Sequence, residues 1–197
     1  MEFSKSDPIP ISMPIPIPID LFVSKKHDKT HKNGDSYFLN SDDKIVYKVN
    51  RRSSTDSSSS SSSSSSTKRV LRDAEGTPLI SIHSHHKGCW QCYKGDGESK
   101  DFLFRVLRTK NTLTRTELEV FLVAEDLPDS PPDLKVKGFP FQKSCTIYKG
   151  NDIVAQTSLM YKLNQIFVKR GKFRLTIFPG SVDHAFVVAL IVIFLHG

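Results

Sequence analysis

The sequence predicts a mainly β protein: about twelve antiparallel strands closed into a barrel around a buried hydrophobic C-terminal helix. Three observations carry this expectation. Short alternating or apolar runs recur between turn signals along most of the 197 residues, as half-buried strands do. Segments with an amphipathic helical period are almost absent. The chain also closes on eleven consecutive apolar residues, Ala185–Leu195, and a helix apolar all round must be buried all round. Such a helix is about 10–12 Å across, so its barrel must be wider than the eight-stranded kind that side chains alone can fill.

The elements follow in order. Residues 1–19 read as an arm, because the alternating prolines from Pro8 to Pro18 hold φ and remove backbone donors. Residues 20–197 read as one domain. Strands are expected near Leu21–Ser24, Ser36–Leu39, Lys44–Val49, Arg69–Asp73, Leu79–His83 and Cys89–Tyr93. Six more are expected near Phe102–Arg108, Glu117–Val123, Leu134–Lys137, Cys145–Tyr148, Ile153–Tyr161 and Phe173–Phe178. Asn33-Gly34-Asp35, Glu75-Gly76, Gly95-Asp96-Gly97, Pro128 to Pro132 and Lys149-Gly150-Asn151-Asp152 mark turns between them. In Leu134-Lys135-Val136-Lys137 and Lys172-Phe173-Arg174-Leu175-Thr176-Ile177 the apolar side chains face one way and the others the opposite way.

Ten serines, Ser57–Ser66, cannot bury enough apolar surface to offset chain entropy, so a disordered loop is expected at about 50–67. Strand-like sequence on both sides makes it a swollen loop inside the domain, and lengthening a loop costs only about 0.6 kcal/mol per doubling. For the C-terminal helix, Ser181 is placed to cap and Asp183 in the first turn suits the dipole. The β-branched Val187, Val188, Ile191, Val192 and Ile193 leave a buried strand as the alternative. As a helix the apolar run reaches about 16 Å, too short for a hydrocarbon core of about 30 Å.

Lys and Arg outnumber Asp and Glu 28 to 21, giving +7 and a pI near 9.3, which favours anionic partners. Three cysteines exclude a fully paired intramolecular disulfide framework and point to a reducing compartment. The first residues have no apolar signal region, and no Asn-x-Ser/Thr acceptor occurs. With no GxSxG, HExxH, P-loop or GxGxxG pattern, neither an enzyme nor a cofactor is expected. Cys89-Trp90-Gln91-Cys92 beside His83, His85 and His86 has metal-ligand spacing. On a strand, however, Cys89 and Cys92 point to opposite faces, so no metal site is expected. Ser181, Asp183 and His184 lie together as a helix start and not as a triad.

The basic residues are more informative. Between Leu134 and Val182 nine occur, including Lys135, Lys137, Lys143, Lys169, Arg170, Lys172 and Arg174, and only Asp152 interrupts them. Lys135, Lys137, Lys172 and Arg174 occupy outward strand positions, so the excess can form a surface patch. Those seven are the candidate anion-binding residues, with Lys169, Arg170, Lys172 and Arg174 foremost.

The chain resembles the plant LURP-one-related family, whose domain is similar to the tubby C-terminal domain and the phospholipid scramblases. The resemblance rests on Ser144-Cys145-Thr146-Ile147-Tyr148, Ile153-Val154-Ala155-Gln156, Phe173 to Pro179 and Val182 to Ile193. Asp73 to Leu79, Trp90 to Gly95 and Leu134 to Gly138 match as well. The Ser57–Ser66 tract stands where the family has a short turn, and His83–Gly88 reads as irregular where relatives are more regular. The resemblance implies a twelve-stranded barrel around a C-terminal helix and no enzymatic activity. It also implies phosphoinositide binding, as in the tubby relatives, and a role in plant defence or stress. The leading expectation is therefore a cytoplasmic protein that meets anionic phospholipid, phosphoinositide included, peripherally at the plasma membrane, with no membrane span. The alternative is a nuclear or DNA-associated interaction protein. Aromatic residues interleaved with the basic run on one exposed face would favour single-stranded nucleic acid.

Overall fold

The computed structural model describes residues 17–24, 35–52, 67–85, 88–96, 101–112, 114–122, 130–159, 173–180 and 182–196. The proline-rich stretch before residue 17 and the serine tract lie outside them, as do Lys169, Arg170, Lys172 and Ser181.

Twelve strands close into one antiparallel barrel in chain order, with β1 (Ile19–Ser24) pairing β12 (Phe173–Ile177) at the seam. Between them run β2 (Ser36–Leu39), β3 (Ile45–Arg52), β4 (Lys68–Arg72), β5 (Pro78–His85), β6 (Cys89–Lys94) and β7 (Phe102–Asn111). The circuit continues through β8 (Thr116–Leu122), β9 (Leu134–Phe139), β10 (Ser144–Lys149) and β11 (Asp152–Leu159). The stretch expected to be irregular is strand as far as His85, because β5 keeps register with β6 from Ile80↔Lys94 to His85↔Cys89. Register shifts interrupt five of the pairings, including β10 with β11 between Ile147 and Tyr148. Such bulges bend strands and help a sheet to close.

Period-2 alternation sorts the side chains. Phe104 and Val106 of β7, Leu118 and Val120 of β8, Leu134 and Val136 of β9, and Phe173, Leu175 and Ile177 of β12 are all buried inside. Helix α1 (His184–His196) fills the lumen, with every residue from Val187 to Phe194 buried. It is a helix and not the alternative strand, because a lone strand here would leave its backbone groups unpaired in an apolar interior. Asp183, just before the first turn, supplies the cap: its Oδ1 accepts the Phe186 N–H at 3.0 Å and its carbonyl accepts the Val187 N–H at 3.1 Å. Phe186 then meets Phe104 edge-on, ring centroids 4.6 Å apart. No helix of the described residues is long and apolar enough to cross a membrane.

In an up-and-down barrel all odd-to-even connections leave from one end. Here that is the end where α1 finishes, since Ile193, Phe194 and Leu195 line one surface pocket with Arg108, Pro140 and Phe141 there. The helix starts at the other.

Candidate functional site

The two ends differ in charge. Among the described residues, the end where the helix finishes holds Arg51, Arg69, Arg108, Lys110 and Lys143, with Asp35 and Glu117 as acids. The end where it starts carries Asp42, Asp43, Asp73, Glu75, Asp96, Asp101, Asp133, Asp152 and Asp183, against Lys44, Arg72, Lys94 and Lys149. A molecule so polarised turns its basic end toward an anionic surface.

Arg69 and Arg108 belong to this basic end by register. Arg69 pairs Arg51 on one side and Ile82 on the other, and Arg108 pairs Leu118, so both stand at inward positions near the mouth. The Nε atoms of both are buried without a hydrogen-bond partner. Burial lowers the pKa of each from the ordinary guanidinium value, and for Arg69 the nearby Arg51 charge lowers it further. The guanidinium of Arg108 lies 4.9 Å from the Trp90 ring centre, held as a cation over an aromatic face.

The β9–β10 turn projects from the same end. Pro140–Gln142 form a single 3-10 turn between the strands, where proline is tolerated because it has no N–H to lose. Lys143 closes it in the left-handed region, φ 50°, donating its N–H to the Pro140 carbonyl at 3.0 Å. Beneath, the buried Thr157 hydroxyl accepts the Cys145 N–H at 2.8 Å and donates to the Lys143 carbonyl at 2.9 Å, fixing the turn to the barrel wall. With its base held, the turn presents Phe141 83% exposed and Phe139 42% exposed, between Lys137 and Lys143.

The structure divides the basic residues singled out from the sequence. Lys137 and Lys143 flank the projecting turn; the Lys137 ammonium lies 6.0 Å from the Tyr148 ring centre and that of Lys143 6.0 Å from the Phe173 ring centre. Lys135 sits toward the other end of β9, with its Nζ 3.5 Å from Glu119. Arg174 is exposed on β12 and 3.6 Å from Asp20 of β1. In register, Glu117 stands beside Lys137 and Glu119 beside Lys135. The run that a sequence window shows as nearly acid-free is therefore partly neutralised by neighbouring strands. Lys169, Arg170 and Lys172 lie outside the described residues; the strand ends they connect, Leu159 and Phe173, pair at the basic end.

Sequence reasoning missed Phe139, Phe141, Arg69 and Arg108. The signal for the first two was present: Phe-Pro-Phe in a turn between two lysines. The arginines gave none, because their strand neighbours come from other parts of the chain.

The cysteines behave as core. Cys92 faces inward and is buried, while Cys89 is half-buried on the opposite face. Burial pushes the Cys145 thiol up to about 12, against the opposing pull of the Thr157 hydroxyl. Burial first, and then the neighbouring Cys89, raises Cys92 as well. Since the thiolate is the nucleophile, Cys92 and Cys145 should resist iodoacetamide in the native protein at mildly alkaline pH. Cys89 should react slowly, and all three should react once guanidinium unfolds the chain. Native-state labelling of Cys145, read by mass spectrometry, would contradict this burial.

The family model described as LURP-one-related matches residues 19–195. Protein LURP-one-related 7 of Arabidopsis thaliana is 49% identical over 180 residues, which cover 91% of this chain and 90% of that protein. LURP-one-related 15 of the same plant is 34% identical over 133 residues, 64% of this chain and 60% of its own. Protein LURP1 is 31% identical over 134 residues, 64% of this chain and 63% of its own.

Proposed function

The chain belongs to the LURP-one-related family, and we propose that it is a non-enzymatic module that docks peripherally on anionic phospholipid through the basic end of its barrel. The observation that carries this reading is the β9–β10 turn, where Phe141 and Phe139 stand exposed between Lys137 and Lys143. Large apolar side chains raised on a hairpin end and flanked in sequence by two lysines suit a charged interface. The rings enter the headgroup boundary while each lysine adds about 1 kcal/mol against anionic lipid. Arg51, Arg69 and Arg108 extend the positive field behind the turn. The defence or stress role implied by family resemblance would be exercised at that membrane. Phe139 and Phe141 interleave with Lys137 and Lys143, the pattern expected of the alternative, a single-strand binder, but both rings lie at one hairpin end, whereas single strands stack on aromatic faces spread along a groove.

The test is co-sedimentation with vesicles containing phosphatidylserine and phosphoinositide, at low and physiological salt. Wild-type protein should pellet, less so as salt rises. Phe141→Asp should weaken binding by about tenfold or more, since burying a phenylalanine contributes about 1.5–3 kcal/mol. Its melting temperature should barely move, because the ring is outside the core. Wild-type protein that stays in the supernatant in both salts would sink the lipid reading. Retention on single-stranded DNA, with no vesicle binding, would establish the alternative.

A further inference from the structure

At the end where α1 begins, a cavity of about 500 Å³ lies between the helix and the strands, within the usual size for a small-molecule site. Its walls are mostly apolar, with Leu79, Leu103, Phe104, Leu122 and Phe186 among them. The space exists because Ala185, the smallest residue of the helix's first turn, also faces it. A twelve-stranded mouth is wider than one helix at that level, and among the described residues nothing as large as Phe186 fills the remainder.

Three charged residues complete the lining: Lys94, Lys149 and Asp183. Lys94 and Lys149 come from the ends of β6 and β10 and are exposed. Neither ammonium makes an ion pair among the described residues, although acids dominate this end of the barrel. The Asp183 carboxylate is engaged on the Phe186 N–H as the helix cap, and the positive end of the helix dipole offsets part of its charge. A largely apolar, open-mouthed space with two cations at its rim that make no ion pair among the described residues is complementary to a chain with one anionic head.

We propose that this cavity binds a single-chain anionic amphiphile. Its apolar tail lies between Leu79, Leu103, Leu122 and Phe186, and its carboxylate or phosphate head reaches one of the two rim lysines, Lys94 or Lys149, which stand four strands apart. The site is at the opposite end of the barrel from Phe141, so the inference does not rest on the membrane reading.

Calorimetric titration of the full chain with dodecanoate, dodecyl phosphate and dodecanol, below their aggregation limits, tests it. One equivalent of at least one of the two anions should bind, and dodecanol should bind about tenfold more weakly, the worth of charge-assisted hydrogen bonds to the head. Preference for dodecanoate or for dodecyl phosphate separates a fatty-acid-like ligand from a phosphate-headed one, and either supports the site. Lys94→Gln combined with Lys149→Gln should erase the advantage over dodecanol while leaving dodecanol binding in place. Leu122→Trp, at a position 44% exposed, should block the cavity and remove binding of all three without loss of fold. Vesicle docking should survive Leu122→Trp, and amphiphile binding should survive Phe141→Asp. Equal affinity for acid and alcohol, non-saturating uptake, or wild-type binding by Leu122→Trp would overturn the proposal.

Discussion

Deleting residues 185–195 is expected to abolish folding. The described helix buries eight consecutive side chains, Val187 to Phe194, in the lumen of the barrel. At about 1.5–3 kcal/mol for each large apolar side chain buried, their sum matches or exceeds the roughly 5–15 kcal/mol by which a domain is normally stable. The inward residues Phe104, Leu118, Val136 and Leu175 would then line a water-filled tube with no partner. The truncated chain should be insoluble, or lack near-ultraviolet circular dichroism and a cooperative melt. Leu190→Ala provides the graded control: Leu190 is fully buried at mid-helix, and a cavity there should cost about 2–5 kcal/mol and leave a folded protein. A soluble deletion variant with native dichroism would show that the helix is an accessory to a self-sufficient barrel.

The second large effect is expected at Gly138, at the inward end of β9. It pairs Cys145 on one side and Thr116 on the other. A Cβ at this position would collide with the Ser144 carbonyl oxygen and with Cα and Cβ of Cys145. Two of these three atoms are backbone, so the β9–β10 hairpin must shift and cannot simply turn a side chain aside. Gly138→Ala should cost about 1–3 kcal/mol, and Gly138→Val more. At about 2–4 °C per kcal/mol for a chain of this size, thermal melts resolve both. Because the same hairpin carries Phe141 and Lys143, vesicle binding should fall in Gly138→Ala even at temperatures where the variant is folded. A valine variant that melts with wild type would mean that the strands separate here at little cost.

Much of the fold was legible because strand parity is a local code. Lys135 and Lys137 alternate with Leu134 and Val136, and in the structure the leucine and valine are buried and Lys135 is exposed. Strand limits were less legible. β7 runs to Asn111, beyond the apolar run that ends near Arg108, because Lys110 and Asn111 pair Glu117 and Thr116 of β8. That extension is decided by a partner strand and leaves no trace in hydrophobicity. The helix cap moved for a similar reason: Ser181 and Asp183 are both good capping residues, and the helix start at His184 selects the aspartate.

The candidate site divides along the same line. The sequence by itself determined that the protein is basic, that acids are scarce among the cations of its last third, and that a uniformly apolar helix must lie inside a wide barrel. Each of these follows from composition or from a period read along the chain. Only the tertiary structure decided which charges remain available. Sheet registry sets Asp20 against Arg174 across 154 positions and Glu119 against Lys135. Among the described residues it leaves Lys94 and Lys149 unpaired at one mouth and sets Arg51, Arg69 and Arg108 at the other. A charge acts on what is near it in space, over a few ångströms, and closing the barrel brings together residues that the chain keeps far apart.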